Sequence, residues 1–101
     1  MRIDSDVVDL GTAGTVTKLL NTNDRIVWIK IKALAANSGL VYVGTSDVST
    51  SNGYELHAGG GADGQVELDF GSYRDGSVKA SDLCAIGAAD NEDVTWIAIL
   101  I

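Results

Sequence analysis

The stretch that decides the fold is residues 25–34, which read RIVWIKIKAL. Successive side chains of an extended strand point to opposite faces, so a period of two in the apolar residues indicates a β-strand. One face carries Val27, Ile29, Ile31 and Ala33, and the other carries Trp28, Lys30 and Lys32. We expect the first face to lie in the core and the second to point outward.

Short stretches of similar character lie on both sides of this strand. They are residues 6–10, 15–20, 40–44, 54–56, 66–70, 83–87 and 94–101. Polar and glycine-rich segments separate them, as is typical of turns and loops. About eight short strands at this spacing predict an all-β protein, an antiparallel and jelly-roll-like β-sandwich. The length of 101 residues allows one domain, residues 1–101.

Three connections have a pattern of their own. Residues 35–39 read AANSG, which predicts a hairpin between the strands at 25–34 and 40–44. Residues 46–53 predict a polar loop that ends in an Asn-Gly pair. Residues 90–93 read DNED and lack the spacing of a calcium-binding EF-hand loop. We expect a solvated acidic turn there and no metal site.

The charge of the chain excludes one large class of partner. Fourteen acidic residues against seven basic ones give a formal net charge of -7. A nucleic-acid-binding protein needs lysine and arginine clustered on one face, so we expect no nucleic-acid partner. The apolar runs are too short for a membrane span, and the first residues, MRIDSD, do not resemble a signal peptide. We therefore expect neither a membrane partner nor a leader segment.

Residues that carry chemistry are few. His57 is the one histidine, and the Gly-x-Ser-x-Gly nucleophile pattern is missing. The glycine triplet at 59–61 lacks the lysine of a phosphate-binding loop, and Cys84 lies among apolar neighbours. A lone cysteine forms no internal disulfide. We expect a protein without catalytic residues, metal or cofactor, with Cys84 buried.

The last strand, residues 94–101, is apolar on both faces. A sandwich of this size has one core and one wet side per sheet, so a second apolar face needs a cover. One interpretation is that a loop of the same chain covers it. The other, which we favour, is a subunit interface. Its candidate residues are Thr95, Ile97, Ile99, Ile101 and Trp28.

Aromatic residues offer a different use of the surface. Aromatic side chains stack on sugar rings, and the candidates for such a platform are Trp28, Tyr42, Tyr54, Tyr73 and Trp96. Covering a neighbouring strand or subunit is the plainer interpretation for Trp28. A carbohydrate-binding surface is the alternative.

One series of motifs extends over much of the chain. It has an Asn-x-Gly turn at 37–39, a Val-Tyr-Val-Gly strand at 41–44, a Ser-x-Val loop at 46–48 and a Gly-x-x-Leu strand at 53–56. A Leu-Cys-Ala-Ile strand at 83–86 and the apolar strand at 94–101 follow. This order resembles small β-rich structural proteins of tailed bacteriophages.

The resemblance implies a structural protein of the virion. Some proteins of this kind are head-decoration, or cement, proteins, which bind the outer capsid as trimers and stabilise it against internal DNA pressure. We therefore expect a homotrimer on the capsid surface whose partner is the major capsid protein. The alternative is a tail or fibre accessory module that binds host-surface carbohydrate. Loops at one end of the sandwich are expected to meet the capsid, with Arg2, Ile3, Asp4 and Asp6 as candidate contacts.

Overall fold

The structure, a computed structural model, describes residues 1–59, 61–70 and 78–101. This part of the chain contains eight strands and a single 3-10 turn at Ala80–Asp82. The strands are β1 (Arg2–Asp9), β2 (Thr17–Lys18), β3 (Ile26–Ala33), β4 (Val41–Gly44), β5 (Tyr54–Leu56), β6 (Gln65–Asp69), β7 (Cys84–Gly87) and β8 (Asp93–Leu100). No helix in these ranges is long and apolar enough to cross a lipid bilayer.

The strands form two antiparallel sheets of four strands each. The first sheet has the order β1-β8-β3-β6, and the second has the order β2-β7-β4-β5. Among the described strands, consecutive ones lie in different sheets except β4 and β5. Antiparallel strands that alternate in this way between two four-stranded sheets form a jelly roll. The predicted all-β sandwich is therefore confirmed.

The core lies between the two sheets, as the alternation in the sequence predicts. The first sheet contributes Ile29, Ile31 and Ala33 from β3 and Val94, Trp96, Ala98 and Leu100 from β8, and all of them are buried. The second sheet contributes Val41 and Val43 from β4, Leu56 from β5 and Ala85 from β7. Val66, Leu68 and Phe70 pack against this cluster and are partly buried. Burial of these apolar side chains is the main stabilising term of the fold.

A bulge at the start of β3 corrects one assignment. The register with β8 shifts between Ile26, opposite Leu100, and Trp28, opposite Ile99. The extra residue places Ile26 in the core and leaves Val27 only partly buried. From Trp28 onward the predicted faces hold.

The predicted hairpin between β3 and β4 is wrong. β3 lies in the first sheet and β4 in the second, so residues 34–40 cross from one sheet to the other. The Asn37 side chain fixes this crossing at the start of β8. Its Nδ2 donates to the carbonyl oxygen of Asp93, and its Oδ1 accepts from the Asp93 N–H, both at 2.8 Å.

The predicted solvated acidic turn at 90–93 is wrong at Glu92. Its side chain is 1% exposed, whereas Asp90 and Asn91 are exposed. One carboxylate oxygen of Glu92 accepts from the N–H and the hydroxyl of Ser38, at 3.0 and 2.8 Å, and the other accepts from the Gly39 N–H at 3.0 Å. A buried carboxylate is tolerated when hydrogen bonds replace its water, and these three do so.

The loop between β4 and β5 contains a buried residue that its polar sequence conceals. Val48 is buried and packs with Tyr42, Cys84 and Ile86 in a small second cluster on the outer side of the second sheet. The backbone comes close enough for this because Gly53 lies against Tyr42. A Cβ atom at Gly53 would lie 2.5 Å from the Tyr42 Cβ. The outer side of the second sheet is thus covered by its own loop.

Candidate functional site

The outward side of the first sheet, which we call the open face, gathers the residues predicted for a subunit interface. Side chains directly opposite each other across a ladder lie on the same face. Ile99 lies opposite Ile3 of β1 on one side and opposite Trp28 of β3 on the other. Ile97 lies between Ser5 and Lys30, and Thr95 lies between Val7 and Lys32. Ile101 directly follows β8 and exchanges backbone hydrogen bonds with Arg25.

The apolar residues of the open face are accessible. The exposed fractions are 71% for Ile3, 57% for Val7, 45% for Ile97 and 51% for Ile101. Because β8 is a central strand, its outward isoleucines lie in the middle of the sheet and not at its rim. Among the described residues no loop covers Ile97, which is 45% exposed. Sequence reasoning missed Val7 as a residue of the open face. The signal is present in the sequence, because Val7 follows Ile3 and Ser5 at steps of two and therefore shares their side of the strand.

Charged side chains lie on β3 and β6, beside the outward apolar residues of β1 and β8, which we call the apolar strip. β3 contributes Lys30 and Lys32 to the open face, and the neighbouring strand β6 contributes Glu67 opposite Lys30. The indole Nε1 of Trp28 donates to a carboxylate oxygen of Glu67 at 3.0 Å, which fixes the ring on the surface. A shallow depression of about 200 Å³ lies between Ser5, Ile97 and the two lysines. The open face is therefore apolar on β1 and β8 and charged on β3 and β6.

The candidate capsid contacts are divided between two sides of one strand. The candidate contacts were expected in a loop, but all four lie in β1, an edge strand whose partner is β8. Ile3 lies on the open face, whereas Arg2, Asp4 and Asp6 lie opposite Leu100, Ala98 and Trp96 on the inner side. The structure therefore joins Ile3 to the predicted interface residues and separates the other three from them.

The inner side of β1 lines a polar cleft of about 540 Å³ at the open edge of the sandwich. Arg2 forms ion pairs there with Asp24 and Asp4. The hydrogen bond from Arg2 lowers the pKa of Asp24, and that carboxylate in turn raises the pKa of Arg2. The Trp96 indole Nε1 donates to the Leu19 carbonyl at 2.9 Å in the buried part of this region. Arg2 and Asp4, which both line the cleft, are thus held in an ion pair.

The aromatic candidates do not form one platform. Tyr42 and Trp96 are buried, and Tyr73 lies outside the described residues. Tyr54 is exposed on β5 of the second sheet, whereas Trp28 lies on β3 of the first. The two accessible aromatic side chains are therefore on different sheets.

The residues considered for chemistry are separated as well. Cys84 is buried, as predicted, and burial raises the pKa of its thiol, while Lys18 opposes and Asp82 adds to that shift. His57 is exposed, with Nε2 at 3.9 Å from a carboxylate oxygen of Glu55. Over residues 1–59, 61–70 and 78–101, no three His, Cys, Asp or Glu residues are grouped so as to hold a metal ion. Gly60, the middle of the glycine triplet, lies outside the described residues.

Comparisons with known proteins identify the fold alone. No protein-family model and no curated protein matches the sequence. The chain is similar in structure to part of IMPa from Pseudomonas aeruginosa, solved in complex with an O-glycopeptide, with a TM-score of 0.54 and 14% sequence identity. The match covers 98% of this chain and 12% of IMPa, so the chain spans only a small part of that protein's length. At this identity, the likeness supports a sandwich domain and nothing about activity.

Proposed function

We propose that this chain is a virion structural protein that binds the outside of a bacteriophage head and stabilises it, as a homotrimer in contact with the major capsid protein. The observation that carries the proposal is the open face. Four apolar residues are exposed on one sheet, namely Ile3, Val7, Ile97 and Ile101. Ile97 lies on the central strand β8, and Ile101 directly follows that strand. Exposed apolar side chains grouped on one surface mark an interaction site. The proposal includes no catalytic step and no cofactor.

The contrast between the two sheets supports this use of the surface. The outer side of the second sheet has its apolar residues, Tyr42 and Ile86, covered by Val48 of the β4–β5 loop. The open face carries at least as many apolar residues, and its central isoleucines stay accessible. Because exposed apolar area is unfavourable in water, the open face gains free energy when another surface covers it.

The size of the apolar strip favours weak, repeated contacts. Two adjacent strands of eight residues at about 3.4 Å per residue and about 4.8 Å apart give a planar strip of roughly 260 Å². A stable isolated interface buries about 800 Å² on each partner. The strip alone is therefore too small for a tight dimer, and a lattice that repeats the contact many times supplies the missing affinity by avidity.

A pair of matched substitutions tests the proposal. Ile97→Lys places a charge in the middle of the open face, and Val16→Lys makes a similar change at a residue of similar exposure outside the strands, 43% against 45%. We expect the wild type and V16K to sediment with purified expanded heads of the virus that encodes the chain. We expect I97K to bind at least tenfold more weakly and to lose self-association in sedimentation velocity.

Two outcomes would count against the proposal. Wild-type protein that stays monomeric and does not bind expanded heads removes its basis, and equal binding by I97K and the wild type removes the role of the open face. The alternative, a tail or fibre module that binds host-surface carbohydrate, has its own readout. Binding on a glycan array that Trp28→Ala or Tyr54→Ala abolishes would replace the capsid proposal.

A further inference from the structure

Among the described strands, β1 offers the longest free edge for pairing with a foreign strand. β1 has eight residues and pairs with β8 on one side. The other edge strands of the described sheets are shorter, with two residues in β2, three in β5 and five in β6. A long edge presents a row of N–H and C=O groups to any extended segment. The sequence has no proline with which to interrupt that row.

Two N–H groups of β1 are bound by its own side chains. The Ser5 N–H donates to Oδ1 of Asp4 at 2.9 Å, and the Val7 N–H donates to Oδ1 of Asp6 at 2.8 Å. The polar groups of successive residues in a strand point to opposite sides. The Thr95 hydroxyl of β8 donates to the Asp6 carbonyl at 3.1 Å, so Asp6 faces β8 and its neighbours Ser5 and Val7 face the free edge.

We infer that Asp4 and Asp6 close the β1 edge to strand addition by a second copy of this chain. Their carboxylates cap the Ser5 and Val7 N–H groups, the two in the middle of the free edge that an incoming strand would use. By their register opposite Ala98 and Trp96, both residues lie on the inner side of the sheet. Polar side chains on the inner side of an edge strand are a further obstacle to edge-to-edge pairing, because a continuous sheet would bury them. Copies are thereby kept from extending the first sheet beyond β1.

The closed edge is independent of the proposed function. It keeps copies from pairing at the β1 edge, whether or not the open face binds a capsid. Strand addition also has its own signature. A continuous intermolecular sheet adds infrared amide I intensity of the cross-β type and binds thioflavin T, whereas face-to-face packing adds no backbone hydrogen bonds.

The test compares three double variants at equal, high protein concentration. Asp4→Ala with Asp6→Ala removes both caps. Asp47→Ala with Asp63→Ala changes the net charge by the same two units at exposed side chains outside the strands. Asp4→Asn with Asp6→Asn removes the same charge but keeps an oxygen that accepts from the N–H. Near-ultraviolet circular dichroism of the two tryptophans tests whether each variant is folded. If D4A/D6A does not fold, D6A alone replaces it, because this variant keeps the Arg2–Asp4 pair.

We expect the D4A/D6A variant to form intermolecular sheet at least tenfold faster than the wild type, and the other two double variants to remain within twofold of it. Equal rates for D4A/D6A and the wild type would refute the inference. An equal increase in D47A/D63A would assign the effect to net charge, and an equal increase in D4N/D6N would show that the capping oxygens are not its cause. Either result would overturn the role of Asp4 and Asp6 as edge caps.

Discussion

The carboxylate of Glu92 offers the sharpest test of how the fold is held together. It is 1% exposed and accepts three hydrogen bonds, two from Ser38 and one from Gly39. Glu92→Gln conserves the shape of the side chain but replaces one acceptor oxygen with an NH₂ group. If the remaining oxygen keeps Ser38, the new donor faces the Gly39 N–H and the hydrogen bond there is lost.

The magnitude follows from that single exchange. A hydrogen bond to a charged group contributes about 1.5–3 kcal/mol, and an unsatisfied buried donor costs about 1–3 kcal/mol. Relief of carboxylate burial offsets part of the sum, so we expect E92Q to lower the free energy of unfolding by about 2–4 kcal/mol. With a urea dependence of about 2 kcal/mol per molar, the middle of the range for small proteins, the midpoint falls by about 1–2 M.

The assay is urea unfolding followed by tryptophan fluorescence, with Asp90→Asn as the matched control. Asp90 belongs to the same turn, undergoes the same change of charge and is exposed. Its Oδ1 accepts from the Ala13 N–H at 2.8 Å, a bond that asparagine preserves. We expect D90N to stay within about 0.5 kcal/mol of the wild type. If E92Q is equally mild, the buried carboxylate does not hold the 34–40 crossing and the reasoning is refuted.

Two further outcomes follow from packing and burial. Gly53→Ala places a Cβ 2.5 Å from the Tyr42 Cβ and should lower the free energy of unfolding by about 1–3 kcal/mol, measured by thermal or urea unfolding. The control is Gly61→Ala, whose new Cβ would have its nearest neighbour at 3.8 Å, and it should cost less than about 0.5 kcal/mol. Similar costs for both variants would contradict the close packing of the β4–β5 loop. The raised pKa of Cys84 means that the unfolded chain loses the thiol proton at lower pH than the folded one. The contribution of this thiol to stability is therefore complete below its ordinary pKa of about 8.5 and declines as pH rises above it. Subtracting the unfolding free energies of Cys84→Ala from those of the wild type between pH 7 and 10 should show that decline, and a flat difference would rule it out.

The core of the first sheet is well predicted from the sequence because the signal is local. The alternation in β3 from Trp28 onward and in β8 depends on neighbours two residues apart, and each strand follows the predicted faces. The outward position of Ile97 and Ile99 follows from the same period. The bulge at Ile26 is a change of register against β8 that the residues of β3 alone do not reveal.

The failures concern contacts between distant parts of the chain. Residues 35–39 have the composition of a tight turn, but composition does not specify which sheet the next strand joins. Glu92 is buried because Ser38 and Gly39, more than fifty residues earlier, supply donors to its oxygens. The beginning of β1 carries Asp4, Ser5 and Asp6, which disfavour a strand, and its pairing with β8 decides otherwise.

The loop that covers the second sheet also gives the molecule two unlike sides. Its tip, at Thr50, Ser51 and Asn52, is exposed on the side opposite the open face. In any array of copies held by the open face, these tips would point away from the shared contact. A fluorophore or short peptide attached at Ser51 would then be displayed on the far surface of the array, and this tip is the natural place to carry such an attachment.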